Sequence, residues 1–160
     1  MPSTYTPIAT QTLGSAAASV TFSSISGAYT DIILVFNGSG SSGGGAFRVE
    51  LNSDTATNYS STQLSGDGTT ATSARFSNLA YGRGGTLDTG NTTAIYHFQN
   101  YSNTTTFKTF LSRFASPAST TDAWVDLWRS TSAISSIKIF VNAVNFTTGS
   151  TFTLYGVKSA

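Results

Sequence analysis

Cysteine is absent from this chain, and His97 is its single histidine among 160 residues. Without cysteine there is no disulfide framework, no thiolate nucleophile and no cysteine-based zinc site. Ser–His or His–metal chemistry would have to use His97, and the segment 91–103 around it contains no Asp or Glu. A catalytic triad needs three converging groups. We therefore expect no catalytic residue, no metal site and no cofactor, and we interpret His97 as a partly buried side chain with one or two hydrogen bonds.

Charge is also scarce, since charged residues make up 9% of the chain against about 25% in ordinary soluble domains. Eight Lys and Arg nearly balance seven Asp and Glu, for a net charge of +1. Proteins that bind a nucleic-acid phosphate backbone usually carry an excess of basic residues. This chain has no such excess, so we do not expect nucleic acid as a partner. A net charge near zero also gives little repulsion between molecules, which favours an assembly.

Long apolar runs and helical periodicity are missing as well. The longest apolar run, Ile32–Phe36, is far shorter than the roughly 18 residues of a membrane span. The first residues show no basic segment followed by an apolar one, so no secretory signal is predicted. No useful stretch has apolar residues at helical spacing. We expect neither a membrane partner nor a helix longer than about two turns.

What the sequence does contain is a series of short alternating segments separated by Gly, Ser, Asn and Asp. The candidate strands are Tyr5–Thr12, Ser19–Ile25, Asp31–Asn37, Phe47–Asn52, Tyr59–Leu64, Thr72–Leu79, Ala94–Tyr101, Thr106–Ser116, Ala123–Ser130, Ile134–Ala143 and Ser150–Val157. Their spacing of roughly 10–15 residues is typical of a β-sandwich. We predict one all-β domain over residues 1–160, a single jelly-roll-like antiparallel β-sandwich of about ten strands. The Gly-rich segments Gly38–Gly45 and Gly82–Asn91 are interpreted as flexible or turn-rich loops.

Two segments match functional motifs only weakly. Gly38–Gly45 fits the G-x-S-x-G and G-x-G-x-x-G patterns, but both require a helix directly afterwards, and a strand is predicted there. The oxygens of Asn52, Asp54 and Asn58 lie on a short connection that could in principle hold Ca²⁺. One carboxylate is few for a calcium site, and Asn and Asp side chains commonly cap turns. The turn interpretation is favoured.

Asp122 and Asp126 lie on one predicted strand, four positions apart. They share a face at roughly 13 Å along the strand, which exceeds the roughly 5–9.5 Å between glycosidase carboxylates. A polysaccharide hydrolase is therefore disfavoured. Trp124 and Trp128 share that face, while Val125 and the other alternate residues give the opposite face an aliphatic character. We predict that the Trp124/Trp128 face meets a second subunit, because one sandwich interior leaves aromatic residues in excess.

Four segments in this order resemble a known group of viral proteins. They are DIILVF (Asp31–Phe36), LNSDTATNYS (Leu51–Ser60), LWRSTSAISSIKI (Leu127–Ile139) and TLYGVK (Thr153–Lys158). The chain resembles the small jelly-roll structural proteins of tailed bacteriophages, which include head-decoration (cement) proteins and related tail-fibre or tail-tip domains. The resemblance spans nearly the whole chain. It implies a non-enzymatic protein, often trimeric, that binds other virion proteins or host glycans.

The expected function is that of a bacteriophage virion structural protein, assembled in the host cytoplasm and located in the virion. As a capsid decoration protein it would stabilise the head by bridging capsomers. Its expected partners are itself, as a homotrimer, and the major capsid protein or other virion proteins. The alternative is a tail-fibre or tail-tip receptor-binding module that recognises host surface polysaccharide.

Overall fold

The chain is all-β, as the sequence predicts. The computed structural model describes residues 4–116 and 120–158, and within these residues it contains twelve strands and no helix. The strands are β1 (Tyr5–Thr12), β2 (Ser19–Phe22), β3 (Asp31–Gly38), β4 (Gly45–Leu51), β5 (Tyr59–Gly66), β6 (Ala71–Leu79), β7 (Gly82–Leu87), β8 (Thr92–Phe98), β9 (Lys108–Ala115), β10 (Thr121–Trp128), β11 (Ile137–Val141) and β12 (Thr151–Val157).

The strands form two antiparallel sheets. The large sheet has eight strands in the order β1-β12-β3-β8-β9-β10-β5-β6, and the small sheet has four in the order β2-β11-β4-β7. Every neighbouring pair is antiparallel. Buried apolar side chains from both sheets form one core between them. The predicted antiparallel β-sandwich is confirmed.

Alternation along the strands decides which side chains enter the core. In β9, Phe110 and Phe114 are buried while Leu111 and Arg113 face outward. Burying a Phe side chain contributes about 1.5–3 kcal/mol relative to leaving it exposed. The core is strongly aromatic, with Phe47 in contact with the rings of Phe36, Phe114 and Phe146 at centroid distances of 4.9–5.4 Å.

The interpretation of Gly82–Asn91 as a loop is wrong, because Gly82–Leu87 is strand β7. Its glycines are explained by close packing on the inner face of the large sheet. A Cβ at Gly82 would lie 2.9 Å from Phe110 Cε2, and one at Gly85 would lie 2.7 Å from Phe114 Cβ. Only a strand without side chains at these positions can approach the large sheet so closely.

The segment Gly38–Gly45 forms backbone hydrogen bonds with other parts of the protein, so its interpretation as a flexible loop needs correction. Gly40 N–H donates to the Asp88 carbonyl at 2.7 Å, and Ser41 N–H donates to the Asn145 carbonyl at 2.8 Å. These bonds tie the segment to the residue after β7 and to the segment that follows β11, and its last residue, Gly45, begins β4.

Trp124 and Trp128 face the interior of the sandwich. They do share one face of β10, but their side chains are only 4% and 2% exposed. Trp128 stacks on Tyr59 and Trp124 stacks on Phe76, with ring centroids 6.2 and 6.0 Å apart. The premise that this face is left over for a second subunit is wrong, and the structure removes the basis for assigning these two residues to an interface.

Candidate interaction surface

The side of the large sheet that faces away from the small sheet carries two rows of neighbouring side chains. The pairing register gives one row as Tyr155, Ile33, His97, Leu111 and Val125. It gives the second row as Thr153, Val35, Ile95, Arg113, Ala123 and Leu64. We call the aliphatic members of these rows the outer apolar face, which comprises Ile33, Val35, Ile95, Leu111, Val125, Ala123 and Leu64.

Much of the outer apolar face is open to solvent. Leu64 is 63% exposed, Val125 52% and Leu111 40%. The solvent side of an antiparallel sheet normally carries polar residues in alternation with the buried ones. Single exposed apolar residues need no explanation, whereas a contiguous apolar patch makes a surface a candidate for contact with another molecule.

The outer apolar face is concave at its centre. A depression of about 450 Å³ lies over β8, β9 and β10, with Ile33, Ile95, Leu111 and Val125 in its lining. Tyr5 and Arg113 also line the depression. Its shape would accept a protruding side chain or loop of a partner, and its lining would favour apolar contact with it.

His97 lies at this surface and has an acidic partner that the sequence does not reveal. His97 Nε2 lies 2.8 Å from Asp31 Oδ2, and Asp31 Oδ1 accepts a 2.8 Å hydrogen bond from the Asn100 N–H. Asp31 is 66 positions away in the sequence, and β3 and β8 bring the two together. His97 is partly buried and hydrogen-bonded, in agreement with its interpretation from sequence.

The Asn52–Asn58 connection is a hydrogen-bonded turn. Asp54 Oδ1 accepts from the Ala56 N–H at 2.9 Å, while Oδ2 accepts from Asn58 Nδ2 at 2.9 Å and from Trp128 Nε1 at 2.7 Å. Burial raises the pKa of Asp54, but these hydrogen bonds outweigh it and hold the pKa below its usual value. Since both carboxylate oxygens already accept hydrogen bonds, the turn interpretation explains these residues without an ion.

Asp122 and Asp126 do share a face, and that face is buried. Asp126 is fully inaccessible and Asp122 is 3% exposed. Asp126 Oδ1 accepts from the Arg83 N–H of β7 at 2.9 Å and from the Ser61 hydroxyl. Asp122 accepts from Gln63 Nε2 at 3.0 Å. Asp126 therefore links the two sheets, whereas Asp122 bonds within the large sheet, and both carboxyls are out of reach of a polymer at the surface.

Burial dominates the electrostatics of Asp126. Removal of its carboxyl from water raises its pKa to about 7, although the Ser61 hydroxyl, the Arg83 N–H and the Arg83 charge act in the opposite direction. Asp126 Oδ2 has no hydrogen-bond partner among the described residues. A protonated carboxyl therefore suits this site below about pH 7.

Comparison of the chain with protein-family models, curated proteins and solved structures gives no match. Within residues 4–116 and 120–158, no group of three His, Cys, Asp or Glu residues could hold a metal ion. The same residues contain no helix that is long and apolar enough to cross a membrane.

Proposed function

We propose that this chain is a bacteriophage virion structural protein, a capsid decoration protein that stabilises the head by bridging capsomers. The resemblance supplies the viral role. The observation that carries the proposal is the outer apolar face, because an exposed aliphatic band across the large sheet is suited to binding another protein. In this role the protein acts by burying surface and needs no chemical step.

The size of the outer apolar face fits a weak contact that is repeated many times. Its members lie on β3, β8, β9, β10 and β5. The face is therefore about 19 Å wide at 4.8 Å per strand, and its two rows give roughly 300 Å² with side-chain width included. A standard interface buries about 800 Å² on each partner. A single copy would therefore bind the capsid weakly, and several linked copies would bind it strongly through avidity.

A tail-fibre or tail-tip module that binds polysaccharide is the competing proposal, and it would use the same depression. Arg113, His97 and Asp31 offer hydrogen-bonding groups near it. Sugar rings are commonly held by stacking on aromatic faces. Tyr5 is an exposed aromatic residue in this lining, but Ile33, Ile95, Leu111 and Val125 give the lining a largely aliphatic character. Binding on an array of bacterial surface glycans, lost on Arg113→Ala, would favour the tail module.

The test of the decoration role is binding to phage heads that lack the chain. We expect the wild-type protein to co-sediment with such heads and the Leu111→Lys/Val125→Lys variant to bind at least about tenfold more weakly, since it places charge on the apolar contact. Both positions are solvent-exposed, so the variant should fold. Thr55→Lys/Thr57→Lys adds the same charge on an exposed turn and should bind like wild type. Equal binding by both variants would contradict the proposed attachment face.

A further inference from the structure

Strand β6 is an open edge of the large sheet. It runs from Ala71 to Leu79 and pairs with β5 on one side only. Its first six residues, Ala71–Phe76, pair regularly with Gly66–Ser61, and the register shifts only beyond them. Within residues 4–116 and 120–158, no strand pairs with the backbone groups on its other side. An open, regular edge of this length is a template for another extended strand.

The other three sheet edges are protected. Strand β1 contains Pro7 and a register shift between Pro7 and Ala9, and proline and bulges both obstruct edge pairing. Strand β2 has only four residues. Strand β7 is largely buried and packs on β10 and β9 of the large sheet. Strand β6 contains no proline, and Arg75 is its one charged residue.

We propose that β6 pairs with β6 of a second copy of this chain, antiparallel and about a two-fold axis at Ala74. The pairing would join the two large sheets into one continuous sheet. A two-fold contact uses the same strand on both copies, so it needs no second surface. This inference does not depend on the virion role, although it would supply the linked copies that avid attachment requires.

The register follows from the side chains. When two sheets are joined with their faces matched, a residue lies opposite one that faces the same side. An axis at Arg75 would place that charge opposite its own copy, which is unfavourable. An axis at Ser73 would place Phe76 opposite Thr70. Thr70 lies outside the strand, in a turn where its carbonyl accepts a hydrogen bond from the Asp67 N–H, so this register is less favourable. The axis at Ala74 places Ser73 opposite Arg75, and Thr72 opposite Phe76.

This register also provides contacts for two exposed side chains. Arg75 has no hydrogen-bond or ion-pair partner in the described part of the chain. Leu64 is 63% exposed and lies beside Ser73 in the neighbouring strand. In the pair, Arg75 of the second copy lies opposite Ser73, so its aliphatic stem can extend over Leu64 while its charge stays in water.

A charge exchange across the pair tests this register. Ser73→Lys places a like charge opposite Arg75 twice in each dimer. We therefore expect the dissociation constant of the dimer, measured by sedimentation equilibrium, to rise about tenfold. Adding Arg75→Glu to Ser73→Lys creates an attractive pair and should restore the wild-type dimer. Thr10→Lys on the protected edge strand β1 should leave the dimer unchanged. A dimer insensitive to Ser73→Lys, or one weakened by Thr10→Lys instead, would overturn the proposal.

A single introduced cysteine provides a second test that does not rely on charge. Because the chain has no cysteine, the thiol introduced by Ala74→Cys can form an intermolecular disulfide only with the same thiol of a second copy. In the proposed dimer the two thiols lie opposite each other at the two-fold axis. Opposite residues in an antiparallel pair have Cβ atoms about 4.5–5.5 Å apart, close to disulfide geometry. We expect mild oxidation to cross-link Ala74→Cys to a dimer much faster than Ser73→Cys. Equal rates for the two variants, or a wild-type protein that stays monomeric at every concentration measured, would refute the pairing.

Discussion

At the scale of single residues, Asp126 makes the stability of the fold depend on pH. Its pKa is about 7 in the folded protein, chiefly because of burial, against an ordinary value of 3.8. Between these two values the folded state holds a proton that the unfolded chain has released. Stability is therefore greatest at the acid end of this interval, falls as pH rises through it, and levels off above about pH 7.

Replacing Asp126 with Asn should remove this pH dependence. We expect the free energy of unfolding of the wild type to fall by about 2–4 kcal/mol between about pH 5 and about pH 8. Asp126→Asn should show little change over the same interval and should be the more stable protein at the alkaline end. Urea unfolding at both pH values measures the difference.

Asp67 provides the control for that experiment. It lies in an exposed turn, where N–H groups of Thr70 and Thr69 and the Thr69 hydroxyl hold the pKa of its carboxyl below its usual value. Its contribution is lost only as pH falls into the acid range, so Asp67→Asn should keep the wild-type drop between about pH 5 and about pH 8. A drop that persists in Asp126→Asn would show that another group causes it.

Asp54 serves the fold through hydrogen bonds, and this leads to a prediction about calcium. Its Oδ2 accepts from Trp128 Nε1 and Asn58 Nδ2, so Asp54→Ala leaves a buried indole N–H without an acceptor. We expect a loss of about 1–3 kcal/mol in the free energy of unfolding.

Excess Ca²⁺ or a chelator should leave the melting temperature of the wild type unchanged. A calcium-dependent rise that Asp54→Ala abolishes would show that the turn holds an ion.

At the scale of elements, β7 shows why glycine can be required in a strand. A Cβ at Gly84 would lie 2.6 Å from Phe114 Cζ and would overlap the Tyr96 hydroxyl. Gly84→Ala must therefore displace β7 from the large sheet or move two buried rings. We expect it to lower the free energy of unfolding by about 3 kcal/mol. Gly90→Ala is the matched control, because a Cβ there meets nothing within 4 Å. Equal stability of the two variants would contradict the packing of β7.

The same elements show what the sequence can and cannot predict. Strand β11 places Ile137, Ile139 and Val141 at alternate positions, and all three are buried, so its existence and its inward face were predictable from sequence. Strand β7 was not, because Gly82, Gly84 and Gly85 carry no alternation signal and have low strand preference. Its strand geometry comes from the surface on which it packs, which the sequence does not display.

The inward face of β10 was ambiguous for a different reason. Trp124 and Trp128 flank Asp126 on one face, and Val125 and Leu127 lie on the other, so both faces carry apolar residues. A carboxylate usually indicates solvent, but here Asp126 points inward with Ser61 and Arg83 as partners. The candidate interaction surface was not predicted either. Its residues are far apart in the sequence, and only the pairing of β3, β8, β9 and β10 brings them side by side.

At the scale of the whole molecule, the two proposals give the outer apolar face and the β6 edge separate tasks. The face would bind the capsid weakly, and the edge would link two copies so that two weak contacts act together. The trimer implied by the resemblance stays a prediction, and it competes with the two-fold pairing of β6. Sedimentation equilibrium at several concentrations distinguishes them, because β6 pairing gives a dimer mass.

The most direct test of the virion role is the composition of the particle itself. The proposal assigns this chain to a phage particle, so quantitative mass spectrometry of the purified particles would count its copies, and a reconstruction of the same particles would locate them. The account predicts many copies on the outside of the head, with the large sheet's outer apolar face against the shell and β6 of neighbouring copies side by side. Absence of the chain from the particle, or only a few copies confined to the tail, would contradict it.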